Sequence, residues 1–338
     1  MSDTAVSASP EDAPSEVTST APYRAPVWLR NGHAQSIWPS LFRRVDLREP
    51  EAEAVATPDD DELWLDWYRQ GADRVAVICH GLEGHSRRPY VLGLARALLA
   101  AGWDVLAWNY RSCGGVMNRQ PRFYHSGATE DLDVVVRHGL DQGYRAMALA
   151  GFSMGGNLTL QYLGEQGEAV DSRIAGAVTF SVPCDLAGGA DVLALPSRRL
   201  YMSRFIRDLK PKMAEKARRF PDRITMEGYD QIRTFHQFDE RYTAPLHGFA
   251  SARDYWYRAS SLFRLRDIRV PALIVNAADD PFLSPACFPE GQKVLGAWTQ
   301  LETTRHGGHV GFAQFGRGGW YWSEQRAVDY LGALVHQA

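Results

Sequence analysis

Five short apolar runs constrain this chain of 338 residues more than any other feature. Arg74–Cys79, Asp104–Asn109, Ala146–Phe152, Ile174–Val182 and Ala272–Ala277 are too short for core helices. They read as strands buried on both faces, as in a parallel sheet. Helical segments separate them. Pro89–Ala101 has proline in its first turn and Gly102 after its end, and Ala128–Leu140 opens on Glu130 and Asp131, which suit the positive end of a helix dipole. Met154–Glu165 is a third helix, Trp298–Thr304 a last strand and Trp320–His336 a closing helix. Glu62–Tyr68 alternates, with Leu63, Leu65 and Trp67 on one side. Strands alternating with helices predict an α/β fold, a mostly parallel central sheet with helices on both faces.

The chain has 45% hydrophobic residues, enough to core one large domain carrying an insertion. Residues 1–22 are rich in Ser, Thr, Pro, Ala and acids, with no Lys or Arg before Arg24. They lack the basic start and apolar stretch of a secretory signal, and read as a disordered tail before a domain over 23–338. Val27–Arg44 is apolar enough to pack on that domain. No apolar run reaches the roughly 18 residues of a membrane span. A net charge of −3 gives no reason to expect nucleic acid. Cys79, Cys113, Cys184 and Cys287 lack metal-ligand spacing and fit a reducing, cytoplasmic setting. No cofactor or metal is expected.

One strand runs straight into Gly151-Phe152-Ser153-Met154-Gly155-Gly156-Asn157. Glycines on either side of a serine let a strand–turn–helix corner close tightly and lift the hydroxyl clear of the backbone. A serine hydroxyl needs a base to take its proton, and the base needs a carboxylate to fix its tautomer. The strand Ala272–Ala277 ends in Ala278-Asp279-Asp280-Pro281, which sets a carboxylate at the sheet's carboxyl edge, where open α/β sheets bind ligands. Asp280, 127 residues after Ser153, is the favoured acid; Asp279 and Asp185 are alternatives. Arg305-His306-Gly307-Gly308-His309 follows the last strand, and His309 is favoured over His306 as the base. Two N–H groups should face the negative charge that develops on the attacked carbonyl, those of Leu82 and Met154. His80 reads as a residue that fixes the Leu82 loop.

An insertion at about 186–265 differs in character and reads as a helical cap over the sheet's carboxyl edge. Residues 197–241 hold 12 Lys/Arg and 7 Asp/Glu. Leu200, Phe205, Ile206, Leu209, Met213, Ala217 and Phe220 recur at helical spacing, with Pro211 expected to kink or restart the helix. The basic face is expected to be solvated, with peripheral membrane contact as the alternative.

Seven motifs in a fixed order resemble the YheT-like branch of the α/β-hydrolase superfamily, which includes yeast medium-chain fatty-acid ethyl ester synthase/esterases. They are Asn31-Gly32-His33-Ala34-Gln35-Ser36, His80-Gly81-Leu82-Glu83-Gly84, Asn109-Tyr110-Arg111-Ser112-Cys113-Gly114-Gly115 and Tyr124-His125-Ser126-Gly127. The elbow around Ser153, Asp279-Asp280-Pro281-Phe282 and Gly307-Gly308-His309-Val310-Gly311-Phe312 complete the set. The resemblance implies Ser153, Asp280 and His309 as a triad, and carboxylic ester hydrolysis. It leaves the ester open among short acyl esters, acylglycerols and phospholipids. The branch has Thr where this chain has Ser36, and Gly where it has Ser112; neither position is expected to carry chemistry. Acyl transfer to an alcohol, and a non-catalytic lipid-binding role, are the alternative functions. The partner is a small ester or lipid, and the oligomeric state is open.

Overall fold

Strands buried on both faces need apolar side chains pointing both ways, and the central runs supply them. In β3 (Arg74–Cys79) Val75, Val77 and Cys79 join one core layer, while Ala76 and Ile78 join the other. The computed structural model describes residues 21–315 and 318–336. All but the last two residues of the expected tail lie outside them.

The described residues form an eight-stranded sheet in the order β1-β2-β4-β3-β5-β6-β7-β8. β1 (Glu51–Thr57) and β2 (Asp61–Tyr68) are antiparallel, and β2 also runs antiparallel to β4 (Asp104–Asn109). β3, β4, β5 (Ala146–Phe152), β6 (Ile174–Phe180), β7 (Ala272–Ala277) and β8 (Thr299–Thr304) are parallel. Ile78 lies beside Ala150, and Ala150 beside Val178. β1 was not expected from the sequence, because its run of Glu and Ala is largely exposed.

Helix α1 (Gly32–Phe42) precedes the sheet. α2 (Pro89–Ala100) covers one face, and α3 (Thr129–Asp141) and α4 (Met154–Gln166) the other. α4 is buried from Met154 to Gly164, which places it at the centre of the molecule.

Between β6 and β7 the chain forms α5 (Leu186–Ala194), α6 (Arg199–Arg219), the short α7 (Phe235–Phe238) and α8 (Ala244–His247), and α9 (Ala252–Ala259). The short α10 (Gln292–Leu295) and the closing α11 (Trp322–His336), which packs beside α2, complete the set. Of the kink or restart expected at Pro211, the restart does not occur: α6 runs as one helix of 21 residues. Proline removes one N–H bond, and the buried Ile206, Leu209 and Met213 on either side hold the helix in place. Leu200, expected in the buried stripe, is 83% exposed. Much of the helix's positive charge is paired locally, Arg218 and Arg219 with Glu215 and Lys210 with Asp230. Among the described residues no helix is long and apolar enough to cross a membrane.

Candidate active site

β5 ends at Phe152 and α4 begins at Met154, so a single residue turns the chain. That residue is Ser153, at φ 54° and ψ −120°, a left-handed conformation costly for a residue with a Cβ. Backbone bonds hold it there. Its N–H donates to Phe180 O at 2.9 Å, and its carbonyl accepts from the N–H groups of Gly156 and Asn157 at 2.9 and 3.1 Å. The flanking glycines are required by space. A Cβ on Gly155 would lie 2.4 Å from Cys79 O, and one on Gly151 would lie 2.5 Å from Gly155 O.

His309 Nε2 lies 2.8 Å from Ser153 Oγ, and its Nδ1 lies 2.9 and 3.1 Å from the two carboxylate oxygens of Asp280. Asp280 is positioned by its own turn: its N–H donates to Ala277 O, and Oδ1 accepts from Phe282 N at 2.9 Å. The carboxylate is buried. Asp279 points elsewhere, accepting from Gly308 N at 2.9 Å and pairing with His306 Nδ1 at 3.2 Å. Asp185 begins α5 and accepts from Ser284 Oγ at 3.0 Å. The structure therefore brings Asp280 and His309 to Ser153, and leaves Asp279, His306 and Asp185 outside that line.

The residues expected to do least at the site turn out to brace it. A Cβ on Gly32 would lie 1.8 Å from Asp279 O, so α1 begins against the Asp279–Asp280 turn. Ser36 Oγ accepts from His309 N at 2.8 Å, so position 36, which was not expected to carry chemistry, positions the loop of the histidine. Serine and threonine share the hydroxyl this bond needs, so the exchange leaves it intact. Gln35 Oε1 accepts from Ala313 N at 3.1 Å, holding the far side of the same loop. Nothing in the sequence spacing joins residue 36 to residue 309; their contact is tertiary.

Ser112 is also explained. It sits at φ 63°, where glycine is strain-free, and its hydroxyl bonds Asn118 Oδ1 at 2.5 Å. Its neighbour Arg111 is buried among Asp59, Asp61 and Asp131, which anchor the following loop.

The loop after β3 approaches Ser153 from the other side. His80 is fully buried, with Nδ1 2.8 Å from Gly81 O, and its backbone carbonyl accepts from Tyr110 Oη at 2.6 Å. Burial pushes its pKa down to about 3, so it stays neutral. The Leu82 N–H has no partner among the described residues, and Leu82 and Met154 line the same cavity as Ser153 and His309. Glu83 Oε1 accepts from Lys212 of α6 at 2.7 Å and from Tyr124 Oη.

Two openings meet at Ser153 and His309. One has about 830 Å³ of empty space, part of it open to solvent, and its walls include Leu186, Leu193, Leu209, Phe235 and Phe238. Asp239 also lines it, a buried carboxyl that accepts from Thr243 Oγ1 and Trp256 Nε1; burial raises its pKa to about 6. The other opening, about 1200 Å³, lies between α1, the Leu82 loop and α6. Its lining is mixed, with Ile37 and Leu41 beside Arg88, Tyr201 and Arg204. Among the described residues no group of three or more His, Cys, Asp or Glu is placed to hold a metal ion.

A mostly parallel sheet with a serine elbow at the carboxyl end of β5, and a histidine and carboxylate from later loops, defines a class of protein. A sequence profile described as the alpha/beta hydrolase fold matches residues 75–315. The chain belongs to the α/β-hydrolase family, on the branch that holds the Escherichia coli protein named putative esterase YheT, with 33% identity over 94% of both chains. Mouse phospholipase ABHD3 is 29% identical over 87% of this chain and 74% of its own. The monoacylglycerol lipase of Saccharomyces cerevisiae is 30% identical over 81% of this chain and 62% of its own. Among solved structures, the Pyrococcus furiosus esterase Pf2001 superposes with a TM-score of 0.54 at 18% identity, covering 86% of this chain and 98% of that one; this likeness is one of fold.

Proposed function

We propose that this protein is a serine carboxylic ester hydrolase acting on acyl esters or acylglycerols through an acyl-enzyme on Ser153. The observation that carries the reading is His309 lying in hydrogen-bond reach of both Ser153 Oγ and the buried Asp280 carboxylate. Ser153 Oγ attacks the ester carbonyl carbon and its proton passes to His309 Nε2. Asp280 holds the Nδ1–H tautomer and stabilises the imidazolium. The Leu82 and Met154 N–H groups receive the oxyanion, which is stabilised by about 3–4 kcal/mol per donor in comparable sites. The C–O bond to the alcohol then breaks, the alcohol leaving with the His309 proton. Water, deprotonated by His309, attacks the acyl carbon and regenerates Ser153. The apolar cavity suits an acyl chain, and the names of the relatives, an esterase, a phospholipase and a monoacylglycerol lipase, support an ester substrate. The polar groups of the second opening leave water a route to the site, as hydrolysis requires.

The test is intact-mass analysis after a fluorophosphonate probe. One adduct, mapped to Ser153 and lost in His309→Ala, is expected. No adduct under conditions that label a control esterase overturns the reading and leaves lipid binding without turnover as the function.

A further inference from the structure

Helix α1 and the segments beside it carry a ridge of aromatic rings on the molecular surface. Trp28, Phe42 and Phe315 are 56%, 59% and 60% exposed. Their rings form a line: Phe315 lies 5.5 Å from Trp28, Trp28 4.8 Å from Trp38, and Trp38 4.4 Å from Phe42. Ile37 and Leu41, one helical turn apart on α1, are also exposed, and both line the second opening to Ser153. The ridge therefore adjoins the mouth of the site. Across that mouth, Tyr201 of α6 meets His33 of α1 at 2.9 Å, and the neighbouring Leu200 is the exposed exception in the α6 stripe. Isolated apolar residues on a surface are ordinary; a contiguous aromatic patch at the entrance to a site marks an interaction.

Charge identifies the occupant. Residues 22–45 hold four arginines and no Asp or Glu, in a chain whose net charge is −3. Arg43 turns inward to Glu324. Arg24, Arg30 and Arg44 are exposed and form no ion pair among the described residues. Tryptophan, phenylalanine and aliphatic side chains fringed by unpaired arginine suit the boundary between acyl chains and anionic headgroups. A protein partner would more often match such arginines with directed carboxylates; a bilayer surface needs only a diffuse negative field.

We propose that this face docks on an anionic lipid bilayer and seats the second opening against the headgroup layer. The docking stands on the ridge and its charge alone. That an ester enters Ser153 from the lipid rests on the ester-hydrolase reading above.

The experiment is co-sedimentation of the full chain with vesicles of phosphatidylcholine alone, or of phosphatidylcholine and phosphatidylglycerol in equal parts. Ser153→Ala protein is used as well as native, so that vesicle binding is read independently of turnover. Binding to the anionic vesicles is expected, with a loss of about tenfold or more in the Trp28→Ala/Phe42→Ala double variant. Arg30→Glu/Arg44→Glu should lose the preference for anionic vesicles. Both variants should keep native hydrolysis of a water-soluble short-chain ester, which also reports that they fold. Absence of vesicle binding, or binding that the aromatic variant leaves unchanged, overturns the proposal. So does sedimentation velocity that finds a native dimer converted to monomer by the aromatic variant, since the face would then join two copies. Binding seen only after deletion of residues 1–20 overturns it for the full chain, assigning the face to that segment.

Discussion

The elbow and the helical insertion sit on either side of one cavity and are held by different means. Around Ser153 the geometry is enforced within a few residues: backbone bonds fix the turn, and Gly151 and Gly155 lie where no Cβ fits. The insertion is tied down from a distance. Lys212 reaches Glu83, Lys216 reaches Asn118 Oδ1 and Gln120 O at 2.7 and 2.6 Å, and Asn157 of α4 accepts from Ser261 N at 2.9 Å. The groups proposed to react thus stand on the rigid side, while one wall of the pocket rests on side chains that span tertiary contacts. Changes on the elbow side should be all-or-none, and changes on the insertion side graded.

The largest effect is expected at the reacting atoms. Ser153→Ala should lower kcat/KM for a short-chain ester by about 10³-fold or more with an unchanged melting temperature. His309→Ala should match it, while His306→Ala, which removes only the Asp279 pair, should stay within a few-fold. Equal losses for the two histidines would break the assignment.

Gly155→Ala tests the steric half of the comparison. Its methyl would press on the carbonyls of Cys79 and His80, at 2.4 and 2.5 Å, so a loss of about 3 kcal/mol in chemical denaturation is expected. Gly143→Ala serves as the control for glycine replacement itself: φ is 86° there and no atom lies within 4 Å, so only backbone strain, of order 1–3 kcal/mol, remains.

Acid should loosen the elbow side through His80. Its folded pKa, about 3, lies below the ordinary histidine value of 6.5, so between these the unfolded chain binds the extra proton. Stability contributed by the neutral ring is present above about pH 6.5 and declines below it by about 1.4 kcal/mol per pH unit. His125 and His247, also lowered by burial, act in the same direction. Melting temperature should drop from pH 7 to pH 5, and the drop should be shallower in His80→Asn.

The smallest effect belongs to the insertion. Lys212→Met keeps the aliphatic stem and removes the tie to Glu83, and should change kcat/KM for a short-chain ester by less than tenfold. A loss as large as that of Ser153→Ala would mean that the insertion, too, fixes the reacting geometry.

The same division explains what could be read in the sequence. The parallel strands and the order of Ser153, Asp280 and His309 were legible because each depends on a local pattern: an apolar run, a glycine-flanked serine, an acid and a histidine after strand ends. β1 was not, since an exposed edge strand of Glu and Ala has no apolar period. Nor was the hold of Ser36 on His309 or of Lys212 on Glu83, because nothing near one residue announces the other. Leu200 misled for a related reason. Helical spacing reports which residues share a face, and at the first turn of α6 that face has run past the core into solvent.

The two openings that meet at Ser153 carry a consequence for traffic. On the proposed chemistry the alcohol departs by the mixed opening while the acyl group still fills the apolar one. Outgoing alcohol and incoming water then share one door, and the fatty acid has its own room until the bond is cut. A substrate with a bulky alcohol would slow its own replacement by water, whereas a longer chain would be felt only behind the serine. On that chemistry head and tail of the substrate would be sensed in separate compartments, and selectivity for each could drift without disturbing the other.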